Sequence, residues 1–153
     1  MPTTYVRGNI FESPAETLVN TVNTVGVMGK GIAYEFKRLY PEMFREYRDL
    51  CERGSLQIGA LYLYRTDHKS VLNFPTKKHW RSPSQPEYIE EGLKTFVRTY
   101  RERRHSFGRV SSTRMRAWWA RLRVPGEADH GEMAQTSGMP CLYLSASTGL
   151  PDP

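Results

Sequence analysis

The chain is organised around residues 17–31, which read Thr17-Leu18-Val19-Asn20-Thr21-Val22-Asn23-Thr24-Val25-Gly26-Val27-Met28-Gly29-Lys30-Gly31. The first seven residues are mostly apolar and β-branched, which is typical of a buried strand in a parallel sheet. Three glycines follow, and apolar residues then recur at helical spacing until Pro41, which cannot continue that helix. A glycine loop between a strand and a helix presents backbone amides to phosphate, and the helix dipole favours the negative charge.

The glycine spacing alone leaves two interpretations open. It matches neither GxxxxGK[ST] nor GxGxxG, so it is not a P-loop or a dinucleotide-binding fingerprint. The loop is either a phosphate site or a turn whose glycines serve only tight packing, because short glycine patterns recur widely.

Outward from this stretch, strands and helices alternate up to about Arg104. The predicted segments are a strand and turn at 5–10, helices at 32–39 and 42–52, strands at 61–64 and 71–74, and a last helix preceded by Ser84 and Glu87, which have the spacing of a capping box. This order predicts an α/β layered fold with a mixed sheet.

Length and charge limit the possible classes of protein. The 153 residues suffice for one domain, and residues 1–104 hold 17 Lys and Arg against 12 Asp and Glu. That basic excess is compatible with a nucleic-acid partner. No apolar run reaches the roughly 20 residues of a membrane span, and no signal-peptide pattern begins the chain. We therefore expect a cytoplasmic protein with no membrane partner, with Cys51 and Cys141 as reduced thiols that do not bind metal.

A second segment carries a resemblance to a known family. It reads Asn73-Phe74-Pro75-Thr76-Lys77-Lys78-His79-Trp80-Arg81. Together with residues 18–33 it resembles the macrodomain family, an α/β fold that holds ADP-ribose. The most similar branch is the DarG-type antitoxin macrodomains, which are DNA ADP-ribosyl glycohydrolases paired with a DNA-modifying toxin. The resemblance runs from about Tyr5 to Arg104.

The resemblance implies a fold and an activity. The fold is a three-layer α/β/α macrodomain with a mixed central sheet. The activity is the removal of ADP-ribose from thymine in single-stranded DNA, as antitoxin of a cognate DNA ADP-ribosyltransferase toxin. We expect a monomer that needs no cofactor, and no metal is implied because the sequence has no ligand cluster.

The resemblance also implies roles for individual residues. Lys77 and Asn23 would be catalytic, with the Asn23 amide both giving and accepting hydrogen bonds near the scissile carbon. The amides around Gly29, Lys30 and Gly31 would hold the diphosphate. Lys78, His79, Trp80 and Arg81 would bind the DNA strand. The full set expected to contact ADP-ribose is Gly8, Asn9, Ile10, Asn20, Asn23, Thr24, Gly26, Val27, Met28, Gly29, Lys30, Gly31, Ile32, Pro75 and Thr76.

Three of these roles have alternatives. Lys77 either attacks the anomeric carbon, for which its amine must be neutral, or stabilises charge there. It could equally be a solvated loop cation, with Lys78 the reactive neighbour. Trp80 either stacks on a base or packs in the core. Asn9 stands where the family has aspartate, so recognition of the adenine amino group should weaken.

The tail after Arg104 departs from the family pattern. The expected second glycine loop, closing helix and closing strand are missing from residues 105–153, which we expect to be divergent and poorly structured. Read one nucleotide later, the codons of Trp118-Trp119-Ala120 give Gly-Gly, and permitted codons for residues 111–121 give the missing loop. We therefore hypothesise a frameshift shortly before Val110, which the nucleotide sequence tests directly. It predicts a chain with low stability and weak activity.

Four other functions stay open. The domain could bind ADP-ribose without cleaving it, could act on protein-linked ADP-ribose or a small metabolite, or could be an inactive frameshifted remnant. The arginines and the two tryptophans between residues 109 and 123 could also form a nucleic-acid-binding segment.

Overall fold

The computed structural model describes residues 3–102, 110–113 and 140–144 of the chain. Its elements in chain order are β1 (Thr3–Arg7), a short 3-10 helix (Ile10–Glu12), β2 (Thr17–Asn23), α1 (Gly31–Leu39), α2 (Pro41–Glu52), β3 (Tyr62–Arg65), β4 (Ser70–Lys77), α3 (Pro86–Glu102), β5 (Val110–Thr113) and β6 (Pro140–Leu144). The predicted order of strands and helices up to Arg104 is confirmed, and the 3-10 helix is an addition to it.

The strands form one mixed six-stranded sheet in the order β1-β6-β5-β2-β4-β3. β2 runs parallel to both β4 and β5, whereas the other neighbouring pairs are antiparallel. β2 and β4 are central strands, and their apolar residues are almost fully buried. The carboxyl ends of these two parallel strands therefore meet at one edge of the sheet.

Helices cover both faces of the sheet. On one face Leu18, Val22 and Val71 form a core cluster with Phe36 of α1 and Tyr47 of α2. Successive strand residues alternate between faces, so Phe74 points the other way, where it packs directly against Gly92 of α3. We call these the α1/α2 face and the α3 face. Among the described residues, no helix is both long and apolar enough to cross a lipid bilayer.

The expectation that no strand follows Arg104 is wrong for two segments. In β5, Val110, Ser111 and Ser112 pair with Thr17, Leu18 and Val19 of β2, and β6 (Pro140–Leu144) pairs with both β5 and β1. The free edge of β2 offers unpaired backbone groups, and pairing with it needs backbone alone rather than a side-chain motif. Of residues 111–121, where the second glycine loop is expected, the structure describes 111–113 as part of β5, and the remainder lies outside the described residues.

Two local predictions also differ from the structure. α3 begins at Pro86, whose missing amide hydrogen is tolerated in the first turn. Ser84 is therefore one residue too early to be its N-cap, and its hydroxyl instead donates to Thr76 Oγ1 at 3.3 Å. In α1, Phe36 is buried as the spacing predicts, but Leu39 is 45% exposed.

Candidate functional site

A cleft of about 910 Å³ lies at the carboxyl ends of β2 and β4. Its walls come from these strand ends, the glycine loop, the first turn of α1 and the segment that leads into α3. The predicted site residues that line it are Asn23, Val27, Gly29, Lys30, Gly31, Ile32, Thr76, Lys77, Trp80 and Arg81. The charged side chains in this lining, Lys30, Lys77 and Arg81, are all cations, so the cleft suits an anionic ligand.

Asn23 and Lys77 are neighbours across the sheet. The register of β2 and β4 slips by one residue after Val22, so that Asn23 pairs with Lys77 instead of with Thr76. Just beyond this pair, the backbone amide and the hydroxyl of Thr24 both donate to the carbonyl oxygen of Lys78, at 3.2 and 3.0 Å. The two strand ends are thus tied together where both side chains enter the cleft.

The structure separates Lys77 from Lys78. Lys78 is exposed, and its Nζ lies 5.6 Å from the ring centroid of Tyr88 in α3. Thr76, on the other side of Lys77, bonds to Ser84 and also faces α3. Because strand residues alternate, Lys77 faces the α1/α2 side, and this half-buried lysine is the one that lines the cleft.

The Asn23 side chain shapes the glycine loop. Its Oδ1 accepts hydrogen bonds from the amides of Val25 (3.1 Å) and Val27 (3.2 Å), and its Nδ2 donates to the Val27 carbonyl oxygen at 2.7 Å. Oδ1 also accepts from the Tyr47 hydroxyl at 2.9 Å. The oxygen is therefore already used within the protein, and one N–H of the amide is what remains to offer a ligand.

Helix α2 packs against this loop and against Asn23. Tyr47 is fully buried, and its hydroxyl also lies 2.8 Å from the carbonyl oxygen of Asn23. Burial raises the pKa of the Tyr47 phenol far above its usual range, so the hydroxyl stays protonated and keeps donating. Gly26, at φ +84°, packs so closely on α2 that an added Cβ would lie 3.3 Å from Arg48 Cγ.

Replacing Tyr47 with Phe should lower the free energy of unfolding by about 1–3 kcal/mol, because the two buried oxygens of Asn23 lose the one hydroxyl hydrogen that they share. Urea denaturation measures this change. Hydrogen exchange should also quicken at the amides of Val25 and Val27, which Asn23 holds. The matched control is Tyr62→Phe, whose hydroxyl bonds to the exposed Glu46, and a shift below about 0.5 kcal/mol is expected there. Equal losses in both variants would contradict a role for Tyr47 in the loop.

An aromatic and cationic group stands at the mouth of the cleft. Trp80 is 47% exposed, which excludes the alternative that it packs in the core. Arg81 Cζ lies 4.5 Å from the Trp80 ring centroid, and the His79 ring stacks on Trp80 with centroids 5.3 Å apart. The Arg81 amide donates to His79 Nδ1 at 3.2 Å, which fixes the local turn. Trp80 and Arg81 line the cleft, whereas His79 does not.

Ten predicted residues lie outside the lining of the cleft. They are Gly8, Asn9, Ile10, Asn20, Thr24, Gly26, Met28, Pro75, Lys78 and His79. Asn9 Oδ1 accepts from the Phe11 amide at 3.1 Å and so caps the 3-10 helix. Ile10 and Met28 are buried in the core. The ligand contacts expected of this group stay predictions.

Asn20 has a structural position inside the sheet. It is fully buried and pairs with Asn73 across β2 and β4, with its Nδ2 3.1 Å from Asn73 Oδ1. Its Nδ2 also lies 3.7 Å from Met28 Sδ in the glycine loop. Asn20 therefore links the two central strands to the base of the loop.

Sequence reasoning missed six residues of the lining, which are Thr21, Val22, Ala33, Ser84, Pro86 and Ile89. Position along the chain could have indicated Thr21 and Val22, because they lie at the carboxyl end of β2 directly before Asn23. Ser84, Pro86 and Ile89 enter only because α3 packs against the end of β4, and no local pattern gives that placement. Within the described ranges, no three His, Cys, Asp or Glu side chains come together as a metal site would require.

The family model described as Macro domain matches residues 19–112. The chain belongs to the Macro domain family. Solved macrodomains agree with this assignment. The macrodomain of Thermus aquaticus DarG superposes with a TM-score of 0.62 at 53% identity, covering 68% of this chain and 71% of that one. The macrodomain of Mycobacterium tuberculosis DarG gives 0.60 at 49% identity, covering 63% and 68%. The predicted family and the α/β macrodomain fold are thus confirmed.

Two curated relatives of this macrodomain share the name DNA ADP-ribosyl glycohydrolase. A DNA ADP-ribosyl glycohydrolase of Thermus aquaticus is 56% identical over 97 residues, which is 61% of this chain and 27% of the relative. The protein of the same name from Mycobacterium tuberculosis is 52% identical over 103 residues, covering 65% and 29%. The matched part of the chain thus spans less than a third of the length of these relatives.

Proposed function

We propose that this macrodomain removes ADP-ribose from a thymine base in single-stranded DNA, as the antitoxin of a DNA ADP-ribosyltransferase. The observation that carries the proposal is the pairing of Asn23 with Lys77 inside the cleft that Gly29, Lys30 and Gly31 also line. The names of the curated relatives support the reaction. A Thermosipho africanus relative, 36% identical over 116 residues, is a fusion of a DNA ADP-ribosyl transferase with such a glycohydrolase, which supports the antitoxin role.

The glycine loop would hold the diphosphate. α1 begins at Gly31, and no side chain caps its first turn. The amides at this helix terminus are therefore free of side-chain caps and favour an anion. Gly29 and Gly31 carry no side chain to block the approach of a phosphate, and Lys30 adds a cation to the same wall. The distal ribose then lies between this loop and Lys77.

The reaction breaks the bond between the anomeric carbon of that ribose and a ring nitrogen of the base. The bonding electrons leave with the base, a water molecule supplies a hydroxyl group to the carbon, and the base takes up the proton. The free Asn23 N–H would orient the ribose. Lys77 would act as a cation that stabilises the charge that develops as the base leaves, or as a neutral amine that forms a covalent adduct which water then hydrolyses. Rapid quenching and mass spectrometry distinguish the two, because only the second adds the mass of ADP-ribose to Lys77.

The DNA strand would cross the mouth of the cleft. Trp80 offers an exposed ring on which a base can stack, and Arg81 lies beside it to bind phosphate. Lys78 and His79 belong to the same exposed segment and directly precede Trp80. We propose that these four residues bind DNA and that the protein works as a cytoplasmic monomer.

A panel of substrates tests the proposal. The protein would be incubated with single-stranded DNA carrying ADP-ribosylated thymine, with ADP-ribosylated protein and with ADP-ribose 1''-phosphate. The last is included because a Chaetomium globosum relative, 49% identical over 49 residues, is an ADP-ribose 1''-phosphate phosphatase. Release of ADP-ribose from the DNA at the highest kcat/KM supports the proposal. Binding of ADP-ribose with no turnover on any substrate would instead indicate a binding module. A chain that is insoluble, or that melts without a cooperative transition, would indicate an inactive remnant.

A further inference from the structure

Part of the cleft is lined by residues outside the glycine loop and outside the first turn of α1. Beyond Lys77 the cleft continues around the end of the sheet onto the α3 face, where Thr21, Thr76, Ser84, Pro86 and Ile89 line it. We call this part the α3 chamber. Thr21 pairs with Phe74, which packs on α3, and Thr76 bonds to Ser84 just before that helix. The chamber thus lies toward the α3 face, whereas the glycine loop leads into α1, which packs on the other face.

The chemistry of the α3 chamber differs from that of the glycine-loop wall. None of its five side chains is charged, whereas Lys30 contributes a cation near the glycines. Thr76 and Ile89 are only 5% and 6% exposed. Ser84 Oγ donates to Thr76 Oγ1 at 3.3 Å, which leaves the Thr76 hydroxyl hydrogen available to a ligand. A pair of hydroxyls on an apolar wall suits a neutral planar group with carbonyl oxygens and disfavours a phosphate.

We propose that the α3 chamber binds the pyrimidine base that leaves during the reaction. This inference rests on the proposed function. The distal ribose carries the diphosphate at one end and the base at its anomeric carbon, so a ribose between the glycine loop and Lys77 directs its base past Lys77. The space it meets there is the α3 chamber. The Thr76 hydroxyl then donates to a carbonyl oxygen of the base, and the thymine methyl group contacts Ile89 and Pro86.

This arrangement gives Thr76 a role in the rate and Ile89 a role in specificity. Electrons move onto the base as its bond to ribose breaks, so the carbonyl oxygens gain negative charge in the transition state. A hydroxyl that donates to one of these carbonyl oxygens forms a stronger hydrogen bond in the transition state than in the bound substrate. It therefore raises kcat more than it raises the affinity for substrate. An apolar wall for one methyl group distinguishes thymine from uracil by a moderate factor.

The decisive experiment compares ligands with and without the base. The variants are Thr76→Val, which keeps the side-chain volume, Ser84→Ala and Ile89→Ala. The matched control is Ser82→Ala, an exposed serine in the same segment that is not part of the lining. Each protein is tested for affinity to free ADP-ribose by calorimetry, and for kcat on single-stranded DNA with ADP-ribosylated thymine or uracil. Circular dichroism verifies the fold.

We expect Thr76→Val to lower kcat roughly tenfold while the Kd for ADP-ribose stays within about twofold. Ser84→Ala should lower kcat less, and Ser82→Ala should leave kcat unchanged. Ile89→Ala should reduce the preference for thymine over uracil by up to about tenfold. Wild-type kcat in Thr76→Val and Ser84→Ala, with an unchanged base preference in Ile89→Ala, would overturn the α3 chamber and leave the glycohydrolase proposal standing. Absence of turnover in the wild-type protein would overturn both.

Discussion

The variant Lys77→Ala should release ADP-ribose from DNA at least about 100-fold more slowly than the wild-type protein. Lys77 is the cation that lines the cleft beside Asn23, and either of the roles proposed for it would act at the anomeric carbon in the transition state. Affinity for free ADP-ribose should change by no more than a few-fold, because the glycine loop on the opposite wall is unaltered. Single-turnover kinetics and calorimetry measure the two quantities separately.

Lys78→Ala is the matched control for this variant. It removes the same charge from the neighbouring position, but its amine lies over Tyr88 and outside the cleft. We expect kcat close to that of the wild-type protein. At low salt the KM for DNA should be higher in Lys78→Ala than in the wild type, and this difference should disappear as the salt concentration is raised. If Lys78→Ala removes turnover and Lys77→Ala does not, the lysines have been assigned in the wrong order.

Gly26→Ala should weaken ADP-ribose binding by a large factor, roughly 100-fold or more. Its backbone adopts φ +84°, which costs an L-residue about 1–2 kcal/mol. The new methyl group would also lie 3.3 Å from Arg48 Cγ, and this close contact together with the strained φ favours a shift of the loop away from α2. Moving the loop displaces the amides of Gly29 and Gly31 that would hold the diphosphate, and a shift of about 1 Å suffices for a loss of this size.

The control Gly59→Ala separates loop geometry from general destabilisation. Gly59 has nearly the same conformation, φ +85°, and an added Cβ would lie 3.5 Å from Glu91 Cβ, far from the glycine loop in sequence and outside the cleft lining. Thermal melting should show comparable losses of stability in the two variants. Calorimetry should show weakened ADP-ribose binding in Gly26→Ala alone. Equal affinity in both would mean that the loop does not hold the ligand.

The sequence predicted most of this fold because its patterns are local. The glycines between β2 and α1, the alternation along β2 and β4, and the apolar spacing of α2 each depend on neighbouring residues. Resemblance to macrodomains then identified Asn23 and Lys77 as candidates. The structure places them side by side, although their catalytic roles stay predictions.

The remaining features depend on contacts between distant segments. Spacing could not separate Lys77 from Lys78, since the difference lies in which face of the sheet each side chain occupies. Nor could it indicate that Tyr47 and the loop amides already use Asn23 Oδ1, because Tyr47 lies 24 residues further on. β5 and β6 were missed because their pairing depends on the free edges of β1 and β2 rather than on a motif of their own.

Because of the one-residue slip between β2 and β4, the number of residues in β4 decides which of its side chains face the cleft. Thr76 is the extra residue, and because strand residues alternate, its presence decides which of two consecutive lysines faces the α1/α2 side. A codon deleted at this point would exchange the faces on which the two lysines lie, and would also take away the hydroxyl of the α3 chamber. Among homologous genes, we therefore expect insertions and deletions to be rarer between residues 73 and 78 than substitutions are.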